Sequence, residues 1–291
     1  MDVTSRAGRP LRYRILGPLE VYFGERNLAP SAAKVLTVLA FLLVHANEVL
    51  TVTDLTEELW GDCPPRRSKA AIQTYVYQLR RLFARLAEES GGPYQDELTT
   101  RGNGYLLRID PSALDLNLLE ERKRLGRRAL AAGDNRSAAD LFRQCLDLWR
   151  GHALADVDCG PALELEIARL EECRVNTAEL KLEADLRLGQ HDSAVGQLAR
   201  LTSQYPLRES FQAQFMLALY RSGRRADALS AFDRLRHTLA SELGVDPSPR
   251  VQRLHSRILT ADSTLDHPAS ADAHAWAFGS GSGERINQIA V

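Results

Sequence analysis

The chain has 291 residues, of which 44% are hydrophobic and 26% charged, and a formal net charge of -1. This length allows about two ordinary domains, and the composition excludes a collagenous, wholly disordered or disulfide-stapled protein. The longest apolar stretch, Val35 to Val44, is about half of a membrane span, and no apolar signal segment follows the amino terminus. We therefore expect a cytoplasmic protein without membrane association.

Residue types that carry catalysis or bind metals are scattered. The four cysteines include no C-x-x-C pair, and the seven histidines belong to no H-E-x-x-H motif. No G-x-S-x-G motif or phosphate-binding loop is present either. The sequence predicts reduced structural thiols and a protein that is not an enzyme, with no catalytic residues, no metal site and no cofactor.

The first elements form a small α+β pattern. Residues 11–28 alternate as in two or three short strands, and Ser31 is suited to cap a buried helix that follows. Thr51 or Thr53 is predicted to cap a second, short helix, in which Thr53 with Glu57, or Asp54 with Glu57, forms the capping arrangement. This helix ends at Gly61, because the two prolines that follow cannot continue it.

A third helix is predicted from Ser68 onward, with no glycine or proline for about twenty residues. One stripe of this helix is apolar and predicted to be core: Ile72, Tyr75, Val76, Leu79, Leu82, Phe83 and Leu86. The opposite stripe and its shoulders contain no acid: Ala70, Gln73, Thr74, Tyr77, Arg81 and Ala84, with Lys69, Arg80 and Arg85 beside them. A local cationic patch of this kind attracts phosphate although the whole chain is nearly neutral.

Residues 97–109 predict two strands joined around Asn103-Gly104, a dipeptide that tolerates a tight hairpin turn. Tyr105 is assigned to the core of this hairpin, and Trp60 to a packed helix end. The strands, helices and hairpin together predict a winged helix-turn-helix, in which the third helix enters the major groove of DNA and the hairpin is the wing.

The outward face of the third helix is suited to reading bases. Arginine can contact guanine or phosphate, glutamine can pair with adenine, threonine can meet a thymine methyl group, and tyrosine can contact either a base or a phosphate. The predicted contacts on this helix are Gln73, Thr74, Tyr77, Arg80 and Arg81.

Other residues are predicted to hold the DNA backbone. Lys69, Arg66 and Arg67 lie at or before the amino-terminal end of the third helix, where free N–H groups favour a phosphate. Arg101, at the start of the wing, is placed to enter the minor groove or to grip its phosphates. Asn103 completes the predicted interface and mainly forms the turn.

The second half of the chain is helical and repeats. Gly133, Gly189 and Gly223 each end an apolar run and are each followed five residues later by an alanine: Ala138, Ala194 and Ala228. The last two glycines are 34 residues apart, the tetratricopeptide period, and the larger first spacing indicates an insertion around Gly151 to Pro161. Glycine would turn the chain between helices, and alanine would let them approach closely.

The predicted fold is mainly α, with three segments. Residues 1–110 form a winged helix-turn-helix domain of α+β type, and residues 111–261 form an all-α tetratricopeptide-like domain. Residues 262–291 lack periodicity and contain a glycine-serine run, so we expect a disordered tail.

Two motifs in this order resemble a known family. IQTYVYQLRRLF followed by TTRGNGYLL resembles the recognition helix and wing of OmpR-type regulators. LASELGVDPSPRVQRLHSRIL, with the helical repeats before it, resembles the bacterial transcriptional activation domain of the Streptomyces antibiotic regulatory protein (SARP) family. The resemblance covers about residues 10–260.

The resemblance implies a transcriptional activator that binds direct repeats in promoter DNA, with a homodimer on the DNA, and that recruits RNA polymerase with its sigma factor for an antibiotic gene cluster. It also implies that the loop between the second and third helices touches polymerase, here through Gly61, Asp62, Arg66 and Arg67. For the two arginines this competes with phosphate binding. The alternative is a helical-repeat interaction scaffold that does not bind duplex DNA.

Overall fold

The computed structural model describes residues 11–90 and 97–266. The first half contains six strands and three helices: β1 (Leu11–Arg14), β2 (Glu20–Phe23), β3 (Arg26–Asn27), α1 (Ala33–Val44), β4 (Val49–Thr51), α2 (Val52–Trp60), α3 (Ser68–Ser90), β5 (Leu98–Arg101) and β6 (Gly104–Leu107). The remainder is helical: α4 (Asp115–Ala131), α5 (Asn135–Leu146), α6 (Pro161–Arg187), α7 (His191–Gln204), α8 (Glu209–Arg221), α9 (Arg225–Leu243) and α10 (Pro249–Leu259). This order confirms the predicted mainly α fold with an amino-terminal winged helix.

The strands form two antiparallel three-stranded sheets, β1-β2-β3 and β4-β6-β5. Strand β4 was not predicted, because three residues are too few to show a period. It pairs with the wing through Leu50 opposite Tyr105 and Thr51 opposite Gly104. The wing is therefore a three-stranded sheet anchored directly before α2.

Two predicted helix caps differ from those observed. Helix α1 has Ala32 at its N-cap position and no side-chain cap, so the prediction for Ser31 was wrong. Its burial on all sides shows that core packing holds it. Thr51 does cap α2, but the reciprocal acid is Asp54, at 2.8 Å from the Thr51 amide, and not Glu57. Asp54 is the third residue after the cap, the position that a capping box requires.

The wing turn lies one residue earlier than predicted. Gly102 and Asn103 occupy it, and Gly104 already belongs to β6. Gly102 supplies the positive φ, 56°, at the first turn position. A side chain at Gly104 would lie 2.3 Å from the Leu50 carbonyl oxygen, so this glycine permits β4 and β6 to approach.

Contacts divide the chain into two compact units. One contains the described residues up to Ala132 together with Asp140–Ala178, and the other contains Gly133–Ala139 and the described residues from Glu179 onward. The core of the first unit thus extends past residue 110. It buries residues from both sides of that position, and those from beyond it are Leu114, Leu116, Leu119, Cys145, Trp149, Ala153, Leu154, Leu163 and Leu170.

Buried polar contacts join the first sheet to the segment that follows the wing. The Asp115 carboxylate accepts hydrogen bonds from the backbone N–H groups of Ile15 (2.9 Å) and Leu16 (3.1 Å). Arg150 lies 3.7 Å from the same carboxylate. The carboxylate thereby pairs two buried backbone amides, which avoids the cost of burying them without partners.

The predicted insertion at Gly151 to Pro161 is non-helical over residues 151–160, with Pro161 beginning α6, and it packs onto the winged helix. Asp156 accepts a hydrogen bond from the Leu19 amide at 2.7 Å, and Glu58 of α2 accepts one from the Gly160 amide at 2.6 Å. A Cβ atom at Gly160 would lie 1.9 Å from the Glu58 carbonyl oxygen. The segment is therefore held by the Asp156 side chain and by the Gly160 backbone amide, and it needs glycine at residue 160.

The small-residue repeat is confirmed at all three places. The three glycines adopt left-handed backbone conformations, with φ of 81°, 80° and 75° for Gly133, Gly189 and Gly223. The alanines five residues later are fully buried: Ala138, Ala194 and Ala228. In the second unit α8 packs against both α7 and α9, and α10 packs against α8 and α9.

The start of the predicted disordered tail is ordered. Asp262 caps a short 3₁₀ turn, Ser263–Leu265, and Leu265 is buried, so the ordered chain reaches at least Asp266. A single apolar residue in a three-residue turn shows no periodicity, so the sequence does not reveal this anchor. Residues 267–291 of the predicted tail, and the first ten residues of the predicted first domain, lie outside the described residues.

Candidate DNA-binding surface

Helix α3 presents two different faces, as its sequence predicts. The predicted core stripe is buried at Ile72, Val76, Leu79, Phe83 and Leu86, and partly buried at Tyr75 and Leu82. Tyr105 is buried and Trp60 packs partly buried against the same core, so their structural assignments are confirmed. Packing of this stripe leaves the opposite side of α3 at the protein surface.

Most of the predicted contact residues are exposed together along that face: Lys69, Gln73, Thr74, Tyr77 and Arg81. Tyr77 is 60% exposed, a large fraction for an aromatic side chain. The Arg81 guanidinium carbon lies 6.0 Å from the centre of its ring. Gln78 is also exposed and was missed, although its position four residues after Thr74 and three before Arg81 places it beside both.

Thr74 is already engaged within the helix. Its hydroxyl donates to the Ala70 carbonyl at 3.0 Å. The side chain therefore offers a partner its methyl group and the lone pairs of its oxygen. A methyl contact with thymine is compatible with this arrangement.

Arg80 differs from its neighbour Arg81. It is half-buried, and its guanidinium donates from Nε to the Leu98 carbonyl at 3.0 Å and from Nη2 to the Thr100 hydroxyl at 2.8 Å. The same group lies over the Tyr105 ring, 5.9 Å from its centre, within cation–π range. This one side chain thus forms hydrogen bonds from α3 to the wing.

The wing presents Arg101 and Asn103 at its tip. Arg101 is the last residue of β5, its backbone pairs with Gly104, and its side chain is exposed. The Asn103 carbonyl accepts a hydrogen bond from the Val52 amide at 3.0 Å, so this residue also connects the turn to the start of α2.

The surface keeps its positive charge. The sequence from Cys63 to Ala87 contains no acid, and Arg66, Arg67 and Lys69 form no ion pair within the part of the chain that the structure describes. The carboxyl at the base of the wing is Glu97, which accepts a hydrogen bond from the Tyr13 hydroxyl at 2.5 Å. Burial raises the pKa of Glu97 to about 7, although the Tyr13 bond opposes the shift.

The loop between α2 and α3 lies fully at the surface. Gly61 ends α2 with φ of 55°, and residues 61–67 are all exposed, including Asp62, Arg66 and Arg67. The Ser68 amide donates to the Pro65 carbonyl at 2.9 Å, so the loop turns directly into α3. Its cations are accessible either to a phosphate or to a protein partner.

The described residues contain no group of three or more His, Cys, Asp or Glu side chains that could hold a metal ion. All four cysteines are free thiols, with Cys63 at the surface and Cys145 buried. Burial raises the pKa of Cys145 to about 11, which keeps it protonated and unreactive. Within the described ranges no helix combines the length and hydropathy needed to cross a membrane.

Comparison with known proteins agrees with this geometry. Residues 28–107 match the family described as transcriptional regulatory protein, C terminal, and residues 114–259 match the bacterial transcriptional activator domain. The regulatory protein DnrI of Streptomyces peucetius is 43% identical over 88% of this chain and 94% of its own length. The regulatory protein AfsR of Streptomyces griseus is 39% identical over 90% of this chain, which spans 26% of AfsR.

A solved structure extends the comparison to the fold. Mycobacterium tuberculosis EmbR, in complex with a low affinity phosphopeptide, superposes with a TM-score of 0.82 at 31% identity, covering 93% of this chain and 70% of the EmbR chain. The fold and the exposed cationic helix therefore define a DNA-binding transcription regulator with an OmpR-type winged helix. The chain belongs to the SARP family of transcriptional activators.

Proposed function

We propose that this activator binds promoter DNA by placing the exposed face of α3 in the major groove and the tip of the wing in the adjacent minor groove. The observation that carries the proposal is the acid-free outer face of α3, on which Gln73, Tyr77 and Arg81 stand exposed together. An α-helix fits the major groove, and these side chains match its donor and acceptor pattern. Arg101 and the cations near Ser68 would hold the backbone and set the register.

We further propose that two copies bind direct repeats, head to tail, about one helical turn apart. Direct repeats present the same face of each copy in the same direction, so the contact between copies joins two different surfaces. The regulated promoters would serve an antibiotic or other secondary-metabolite gene cluster, as the family membership suggests.

Recruitment of RNA polymerase, through its sigma factor, is the proposed second step. The exposed loop Gly61–Arg67 supports this role, because it presents Asp62, Arg66 and Arg67 while the core packing of α2 and α3 holds both of its ends. Membership of a family of activators supports the same role, because an activator can act by a contact that assists polymerase.

Footprinting of the purified chain on promoters near its own gene tests the proposal. We expect two protected half-sites in the same orientation. The logarithm of the affinity should fall linearly with the logarithm of the salt concentration. A scaffold without DNA-binding activity would protect nothing at moderate salt. Protected inverted repeats would refute the head-to-tail arrangement while leaving DNA binding intact.

A further inference from the structure

We propose that Arg80 is a positioning residue, which fixes the wing relative to α3, and that it does not read a base. The inference rests on the proposed function, in which helix and wing enter neighbouring grooves. It assigns Arg80 a role that differs from that of Arg81, although the two are adjacent on the same helix.

The first support is the hydrogen-bond geometry. Arg80 reaches from α3 to two successive anchor points on β5, the Leu98 carbonyl and the Thr100 hydroxyl, at 3.0 and 2.8 Å. Strand β5 is the edge strand of the β4-β6-β5 sheet, so on that side it has no strand neighbour in its sheet. A side-chain tether from α3 supplies the restraint that strand pairing gives elsewhere.

The second support is the set of donors that this tether uses. Arginine recognises guanine through two parallel N–H groups. In Arg80 the Nε–H and an Nη2–H, which form one such pair, already bond to the wing. Reading a base through that edge would break both bonds and release the wing.

Charge provides the third support. Both hydrogen-bond acceptors of Arg80 are uncharged, and its third neighbour is the Tyr105 ring. The guanidinium is therefore held in place without being neutralised by a carboxylate. It can add to the attraction for phosphate while its main contribution remains geometric.

The consequence for DNA binding follows from the chain order. Thr100 immediately precedes Arg101, the predicted minor-groove residue, so the tether acts on the backbone that carries the wing contact. A wing held in place before binding loses less conformational freedom when it enters the groove. Arg80 would thus fix the distance between α3 in the major groove and the wing tip in the minor groove.

The tether is tested first without DNA, by amide hydrogen exchange in the full chain. Arg80→Lys and Thr100→Val should each speed exchange in β5 and β6 by about threefold or more, as expected for loss of one internal hydrogen bond, with exchange in α1 unchanged. Thr100→Ser keeps the hydroxyl and should exchange as wild type does. Unchanged wing exchange, or equal acceleration in α1, would overturn the proposal.

DNA binding then tests the coupling. Footprints of Arg80→Lys should weaken at the wing end of each half-site and persist along the α3 end. The salt slope should stay unchanged because the charge is kept. Combining Thr100→Val with Arg80→Lys should add little to the loss in Arg80→Lys alone, because the lysine variant already lacks the guanidinium that bonds to Leu98 and Thr100.

Two other binding results would overturn the positioning role. One is additive losses in the double variant. The other is loss at a single base pair beneath α3 in Arg80→Lys, which would mark a base reader. If the wild-type chain fails to bind any duplex, the proposed function fails, and the exchange experiment still decides whether Arg80 holds the wing.

Discussion

Arg81 is the residue that we propose to read bases at the surface of this protein. Its guanidinium contacts the face of Tyr77 and forms no ion pair within the described residues. The contact limits the side chain's freedom without consuming the donors that a guanine or phosphate would need. Among the predicted contacts it is therefore a direct candidate for reading sequence.

Arg81→Ala should cost about 1–3 kcal/mol of binding free energy on the preferred promoter sequence and less on unrelated duplexes. The reason is that a bidentate base contact discriminates, whereas a phosphate contact does not. Titration of labelled specific and nonspecific duplexes measures the difference. Arg85→Ala, on the same helix, is the matched control. Equal losses on all sequences would show that Arg81 contacts only the backbone.

Substitutions at Arg66 and Arg67 distinguish two possible roles of the loop before α3, phosphate binding and contact with polymerase. If they hold phosphate, alanine at both positions should weaken binding to every duplex and reduce the salt slope by about one per contact. If they touch polymerase, promoter affinity should persist while transcription in vitro falls. Measuring affinity and transcription on the same promoter decides between them, and no change in either would exclude both roles.

We expect Glu97 to make the stability of the protein depend on pH. Because its pKa rises from 4.5 to about 7 on folding, the folded state binds this proton more tightly than the unfolded state between those values. The stabilising contribution is complete below the lower value and is lost as pH rises through about 7. Glu97→Gln should therefore lose less unfolding free energy than wild type between about pH 5 and about pH 8.

Urea denaturation at the two pH values measures this effect. Tyr13→Phe serves as a second variant, because removing the hydroxyl that lowers the pKa of Glu97 should move the window upward. An identical pH dependence in wild type and Glu97→Gln would contradict the assignment.

The wing depends on two glycines for different reasons. Gly102 needs its left-handed backbone and has open space around it, whereas Gly104 is limited by the Leu50 carbonyl of β4. Gly102→Ala should cost about 1–2 kcal/mol through backbone strain. Gly104→Ala should cost more, because β4 and β6 must separate. Chemical denaturation of both variants tests the order, and a smaller loss for Gly104→Ala would contradict it.

The elements also show what the sequence can and cannot specify. Helix α3, its buried stripe and the turn glycines of the repeat were predictable because each follows from local periodicity or backbone conformation. The missing cap at Ser31 and the turn at Gly102-Asn103 were not, because core packing and the pairing of β4 with the wing decide them. Likewise, Arg80 and Arg81 are indistinguishable in the sequence, because only the fold brings Thr100 within hydrogen-bond distance of Arg80.

The winged helix does not end where its sequence motif ends. Leu114, Leu119 and Trp149 are buried in the same core as the three helices of the winged helix. Burial of a large apolar side chain is worth about 1.5–3 kcal/mol, and whole domains are stable by only about 5–15 kcal/mol. Losing this set would remove a large share of the stability.

A fragment of residues 1–110 should therefore unfold at a much lower urea concentration than a fragment of residues 1–178, which keeps those side chains. The buried Asp115 contact with the amides of Ile15 and Leu16 is lost in the shorter fragment, leaving donors unpaired. Circular dichroism during urea titration of both fragments measures the difference. Equal midpoints would show that residues beyond 110 contribute nothing to this core.

The fastening of Gly160 to Glu58 bears on how such regulators diversify. Recombination at residue 110 would combine α2 from one relative with residues 151–160 from another. The close contact between Gly160 and the Glu58 backbone leaves no space for a side chain at residue 160. Exchange of promoter preference between relatives is then expected to occur as a block that includes this segment, or by substitutions confined to the outer face of α3.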